Sequence, residues 1–164
     1  MTSNGKIILG IDPGSHVTGY GLIHSKETSW EPLDFGAIHP PSSAKKHERY
    51  LVIFEAIIHL IEKFQPEAIA VETQFVYKNV QSALKLGMAC GSVLIAAARH
   101  KIPLFEYAPR RIKLAVVGRG AASKHQVQQM VQMQLKLSKP PQPLDAADAL
   151  AIALCHAHSK KFHV

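Results

Sequence analysis

Apolar positions along the chain fall either into short unbroken runs or into helical stripes, and the two kinds alternate. The run KIILGID (6–12) is continuous and rich in isoleucine, which predicts a strand buried on both faces. VTGYGLIHS (17–25) alternates and is rich in β-formers, so it reads as a second strand after a tight Pro-Gly turn. PLDFGAIHP (32–40) is a weaker third strand. The short connections predict antiparallel pairing among these three. After the loop PPSSAKK, apolar residues return at helical spacing in HERYLVIFEAIIHLIEKF (47–64), which stops before Pro66. EAIAVET (67–73) is a fourth strand. NVQSALKLGMACGSVLIAAARH (79–100) is a long helix of small residues, suited to the centre of the fold or to an interface. IPLFEYA (102–108) is a fifth strand. PRRIKLAVVG opens a helix with proline at its first position and ends it at glycine. SKHQ (123–126) fits a capping box, with the helix running on through VQQMVQMQLKL (127–137). After the proline-rich SKPPQP comes the last helix, LDAADALAIALCHAH (144–158).

An antiparallel trio followed by strand–helix–strand crossovers predicts an α/β fold: a five-stranded mixed sheet flanked by helices. The 164 residues suit one domain, with a core over about 6–158 and a short polar tail. Hydrophobic residues make up 47%, enough for a core without staples. Cys90 and Cys155 stand far apart and outside any zinc-binding spacing, so they read as reduced thiols of a cytoplasmic protein. The N-terminus lacks the apolar segment of a secretory signal, and the apolar runs read as too short to span a bilayer, so no membrane role is expected. The terminal HAHSKKFH reads as a polar, fraying end rather than a metal site.

The formal charge of +7 favours polyanionic partners, nucleic acid first. Its basic residues form separate clusters: Lys45, Lys46 and Arg49; Lys78 and Lys85; and Arg110, Arg111 and Lys113 followed by Arg119 and Lys124. They make one nucleic-acid surface only if the fold gathers them.

Against this basic background four carboxylates each end an apolar element. Asp12 closes the first strand and Glu72 the fourth, so parallel pairing would place them at one sheet edge, where open α/β sheets bind ligands. Asp145 and Asp148 share one face of the last helix. Taken singly, Asp12 suits a turn, and Asp145 and Asp148 suit the start of a helix. Taken together, four hard oxygen donors suit Mg²⁺ or Mn²⁺. Two such ions would serve phosphodiester hydrolysis.

The segments ILGIDPGSHVTGYG, SALKLG, FEYAPRRIK, VVGRGAASKHQV and DAADALAIA, in this order between Lys6 and His158, resemble the RuvC-type Holliday-junction resolvases. The resemblance implies an RNase H-like fold, a homodimer, paired symmetric nicks across a four-way DNA junction and the branch-migration proteins RuvA and RuvB as partners. It assigns Asp12, Glu72, Asp145 and Asp148 to catalysis and metal binding, and brings Lys113 and Lys124 to the scissile phosphate. It gives Phe75, in a loop after the fourth strand, a base-stacking role, with Tyr77 as a second candidate. Lys78, Arg110, Arg111 and Arg119 are DNA contacts by charge and position. His16 stands where the family often has arginine, and Thr73 where glutamine is common. Rival readings are an RNA-cutting nuclease of the same fold, a non-catalytic module for branched DNA, and an actin-like ATP domain. The last needs a second domain for which this chain has no room.

Overall fold

The computed structural model describes residues 5–73 and 79–160. Five strands, β1 (Lys6–Asp12), β2 (Thr18–Ser25), β3 (Trp30–Ile38), β4 (Ala68–Glu72) and β5 (Leu104–Tyr107), form one sheet in the order β3-β2-β1-β4-β5. β1 pairs antiparallel with β2, and β2 with β3. β1–β4 and β4–β5 pair in parallel. This is the expected mixed sheet with an antiparallel opening trio. Pro32 falls in β3, an edge strand, where a missing ladder donor is tolerated.

Helices α1 (Lys46–Phe64) and α2 (Val80–Arg99) cover one face of the sheet. Helices α3 (Pro109–Val117), α4 (Lys124–Gln134) and α5 (Leu144–Lys160) cover the other. The period of two in β1 divides its residues accordingly: Leu9 and Ile11 enter the α1–α2 core, and Ile8 enters the α5 core. All three are at most 1% exposed, and each contributes about 1.5–3 kcal/mol by burial. That is why β1 is an unbroken apolar run.

Helix ends follow their chemistry. Asn79 Oδ1 accepts from the Gln81 and Ser82 amides to start α2. Ser123 and Gln126 form the expected capping box. Gly118, with φ +84°, ends α3. α4 stops at Gln134, short of the expected 137, because Lys136 turns left-handed (φ 52°) and Gln132 Nε2 bonds the Leu137 carbonyl. His156 and His158, in the terminal segment expected to fray, are packed instead; residues 161–164 lie outside the described residues. His156 is 1% exposed with Nδ1 2.6 Å from Tyr107 Oη, and His158 Nε2 lies 3.0 Å from Gln134 Oε1 and stacks on Trp30. The sequence pattern there looked polar because histidine supplies both apolar body and polar tip.

α2 departs from the expectation drawn from apolar runs. Among the described helices it alone is long and apolar enough to cross a membrane by length and composition, because its alanines and glycines raise the average without forming a bulky run.

α5 packs very closely against β1 and β2. A Cβ on Gly10 would overlap the Ala149 carbonyl oxygen, and one on Gly19 would overlap the Asp145 carbonyl. Gly10 faces the alanines of α5, so helix and strand backbones meet without side chains between them. We expect Gly19→Ala to cost about 1–3 kcal/mol through overpacking. That is a fall in Tm of roughly 3–10 °C for a chain of this size, read by thermal melting. A melt unchanged from wild type would show that α5 is free to move off the sheet.

Candidate active site

Parallel pairing of β1 with β4 puts Ile11 beside Val71, so the next residues, Asp12 and Glu72, leave the sheet side by side. In the antiparallel direction Asp12 pairs with Gly19, against whose Cα the Asp145 backbone sits. Three elements thus converge on one edge. The turn after Asp12 is held by Thr18, which is fully buried. Its hydroxyl donates to the Gly14 carbonyl (2.8 Å) and accepts from the Gly14 amide (3.2 Å). Sequence reasoning passed over Thr18; the available signal was a hydroxyl residue just before Gly19 in GSHVTG, four residues after Gly14.

The result is a cleft of about 450 Å³. Asp12, Glu72, Asp148, Lys113 and Lys124 supply its polar wall, and Ile112, Val127 and Ile152 are among its apolar lining. Asp145 stands just outside the lining yet close enough to raise the pKa of both Asp12 and Asp148. The four carboxylates expected from the sequence are therefore brought together, and both expected lysines with them.

Their electrostatics are adverse. Burial, then the charges of Asp148, Glu72 and Asp145, push the Asp12 carboxyl from an ordinary 3.8 up to about 7, with Lys124 opposing. Asp148 is also raised, first by burial, although Lys124 Nζ lies 3.6 Å from its Oδ2 and Lys113 adds further opposition. The local lysines leave a deficit of positive charge at Asp12. Among the described residues no three acidic, histidine or cysteine side chains converge tightly enough to enclose an ion. The donor set itself, oxygen only and anionic, is of the kind that hard divalent cations take.

The remaining candidates are spread out. Arg110 is exposed at the start of α3, its side chain crossing Gly120, and Arg119 is exposed just beyond α3. Neither lines the cleft. Arg111 is engaged within the fold: its guanidinium lies 5.1 Å from the Tyr107 ring centre, and Nη2 donates to Ser159 Oγ at 3.4 Å. Ser159 is eleven residues beyond Asp148, or roughly 16 Å along α5. Phe75, Tyr77 and Lys78 lie outside the described residues.

A carboxyl raised from 3.8 to about 7 favours the folded state most below pH 3.8, and that contribution is lost as pH rises through 7. In EDTA, we expect this site to lower the Tm progressively between about pH 4 and 7, an effect that Asp12→Asn reduces. A wild-type and an Asp12→Asn melt with the same pH slope would show that Asp12 is not the strained group.

A family model described as crossover junction endodeoxyribonuclease RuvC matches residues 8–156. The chain is 59% identical over 155 residues to a crossover junction endodeoxyribonuclease RuvC of Protochlamydia amoebophila, covering 94% of this chain and 92% of that one. It is 50% identical over 155 residues to the RuvC of Pseudoalteromonas translucida, covering 94% and 88%. Among solved structures, Thermus thermophilus RuvC superposes with a TM-score of 0.89 at 35% identity over 96% of both chains. T. thermophilus RuvC in complex with Holliday junction substrate does so with 0.87 at 34% over 95% of both. The yeast mitochondrial resolvase Ydc2, at 16% identity and a TM-score of 0.71, shares the fold. With a family model spanning nearly its whole length and relatives this similar from end to end, the chain belongs to the RuvC family of crossover junction endodeoxyribonucleases.

Proposed function

We propose that this chain is a Holliday-junction resolvase: a metal-dependent endonuclease that makes paired, symmetric nicks in four-way DNA junctions during recombination and repair. The observation that carries this reading is the convergence of Asp12, Glu72, Asp145 and Asp148 on one basic-flanked cleft, in a chain whose fold follows a RuvC–junction complex over 95% of its length.

Asp12, Glu72, Asp145 and Asp148 would hold the cations, Mg²⁺ with Mn²⁺ as substitute, two per site. When bound, they supply Lewis acidity for in-line displacement at phosphorus and stabilise attacking and leaving oxygens. Water attacks the phosphate, the bond to the 3′ oxygen breaks, and the products carry a 5′ phosphate and a 3′ hydroxyl. Lys113 and Lys124 bring positive charge to the same cleft. Lys124, 77% exposed, reaches the Asp148 carboxylate from outside, and a phosphate entering the cleft takes over that contact. Phe75 would stack on bases near the crossover, with Tyr77 as a second candidate, and Lys78, Arg110 and Arg119 would meet the surrounding backbone. Arg111 serves the fold first.

Two cuts on opposite strands need two sites, and α2 offers the seam for a two-fold dimer. Val80, Leu84, Leu94 and Ile95 are exposed apolar residues on α2, and Gly87 and Gly91 face open space. Positions 80, 84, 87, 91, 94 and 98 follow the alternating three–four spacing of a helix–helix seam, with Ile95 on its flank four residues after Gly91. The glycines let a second backbone come close. A second copy accounts for this apolar surface without a membrane, which fits a cytoplasmic protein. Partnership with RuvA and RuvB rests on the family resemblance alone.

The deciding assay offers purified protein a synthetic four-way junction, a plain duplex and a structured RNA, each with Mg²⁺ and with EDTA. We expect cleavage of the junction alone, in Mg²⁺ alone, and a loss of about 10²–10³-fold in Asp12→Asn, the scale for removing one electrostatic contributor. Cleavage of RNA in preference would establish the rival nuclease, and binding without cleavage the non-catalytic module. For the seam, Ile95→Glu should sediment as a monomer and convert a cruciform plasmid to nicked circles rather than linear DNA. A dimeric Ile95→Glu would place the interface elsewhere.

A further inference from the structure

Beside the carboxylate cleft lies a second cavity, of about 310 Å³, whose lining contains no acidic residue. The β1–β2 turn contributes Ser15 and His16, the start of α1 contributes Lys46, Arg49 and Tyr50, and α2 contributes Lys85. Sequence position separates these groups by as much as 70 residues, and the fold gathers two of the chain's basic clusters here. Arg49 Nη1 donates to the Ser15 carbonyl at 3.4 Å, which ties the turn to α1 and fixes the guanidinium at the cavity wall. None of the ion pairs among the described residues engages Lys46, Arg49 or Lys85. The nearest acid in sequence, Glu48, is committed to the α1 terminus, where Oε2 accepts from the Lys45 amide. The positive charge is therefore uncompensated, and Ser15 and Tyr50 add hydroxyls. The class of ligand such a wall takes is a phosphate ester.

Its position says which one. The two cavities are lined by near neighbours along the same two segments: Pro13 lines the first and Ser15 the second, and Leu86 lines the first and Lys85 the second. Ser15 is three positions after Asp12, at most about 11 Å of chain. Phosphates along one strand advance roughly 3.4 Å per nucleotide. The second cavity is thus within about three phosphates of anything cut at Asp12.

We propose that this cavity is a second phosphate site, which grips the backbone of the substrate strand a few nucleotides from the cut and sets its register over Asp12. The proposal rests on the nuclease reading above. It concerns a phosphodiester held by charge, so it adds affinity without reading base sequence.

The test uses Lys46→Ala and Lys85→Ala, both exposed side chains, alone and together in an Asp12→Asn background, with Lys26→Ala as the control at the opposite end of β2. Anisotropy of a labelled four-way junction is followed between 50 and 200 mM salt. Each lost phosphate contact lowers the slope of log affinity against log salt by about 0.9, so over this range the Asp12→Asn parent should lose about 3-fold more affinity than each single variant. The double variant should show twice the change in slope, and Lys26→Ala none. Melting curves matched to the parent confirm the fold. An unchanged slope in the folded double variant overturns the second site, even if affinity falls. If unmutated protein cuts the junction while that slope is unchanged, the nuclease reading stands and the second site falls. If the slope drops but unmutated protein leaves every junction uncut, the phosphate grip stands and its register role falls with the nuclease reading.

Discussion

The backbone-to-backbone seat of α5 on β1 and β2 is the constraint from which the rest of this structure follows. Helices ordinarily pack on sheets through side chains, about 10 Å apart in sheet-like spacing. Here Gly10 and Gly19 on the strands, with alanines on the helix, remove that layer. The reward is not hydrophobic area, since glycine and alanine bury little. It is position: the Asp145 backbone is pressed against Gly19, and Gly19 is the ladder partner of Asp12. A helix held one side-chain layer further out would carry Asp145 and Asp148 several ångströms further from Asp12. The glycines thus hold together carboxylates that would otherwise repel one another apart.

That repulsion is the second half of the design. Burial and three neighbouring carboxylates oppose ionisation of Asp12, and folding places them together regardless. The cost is met by burial elsewhere, on the α1–α2 side, where Leu9, Ile11, Ile53, Ile57 and Ile69 are wholly enclosed. One face of the sheet supplies the stability that the edge of the same sheet expends. Thr18 and Arg49 brace the turn between them, one from within the loop and one from α1. The strain is confined to a site where a divalent cation and a phosphate would relieve it.

Much of this was legible in the sequence because it depends on short-range pattern. Strands announce themselves by period and β-formers, and Asp12 and Glu72 announced their shared edge once parallel pairing was expected. Asp145 and Asp148 were read correctly as one helix face. What stayed hidden depends on distance in the chain. The end of α4 turns on a left-handed Lys136 that no propensity marks, and His156 looks polar until Tyr107 is beside it. Arg111 and Lys113 are two residues apart in one basic run. Yet helical geometry sends Lys113 to the cleft and Arg111 to Tyr107 and Ser159. Charge in a sequence is a sum; in a fold it is an address.

Read by address, the net charge of +7 is distributed to a purpose. Lys113 and Lys124 stand on one side of the carboxylates, on α3 and α4. His16, Lys46, Arg49 and Lys85 stand on the other, across the β1–β2 turn. An acidic centre alone would repel the polyanion it has to cut. Basic walls on both sides would favour a polyanion along the approach while the carboxylates keep the centre anionic. The two requirements conflict at one point in space and are reconciled by separating them. On the proposed reading, cations would be drawn to the strand ends and phosphates to the flanks, and a DNA strand lying across both flanks would pass over Asp12.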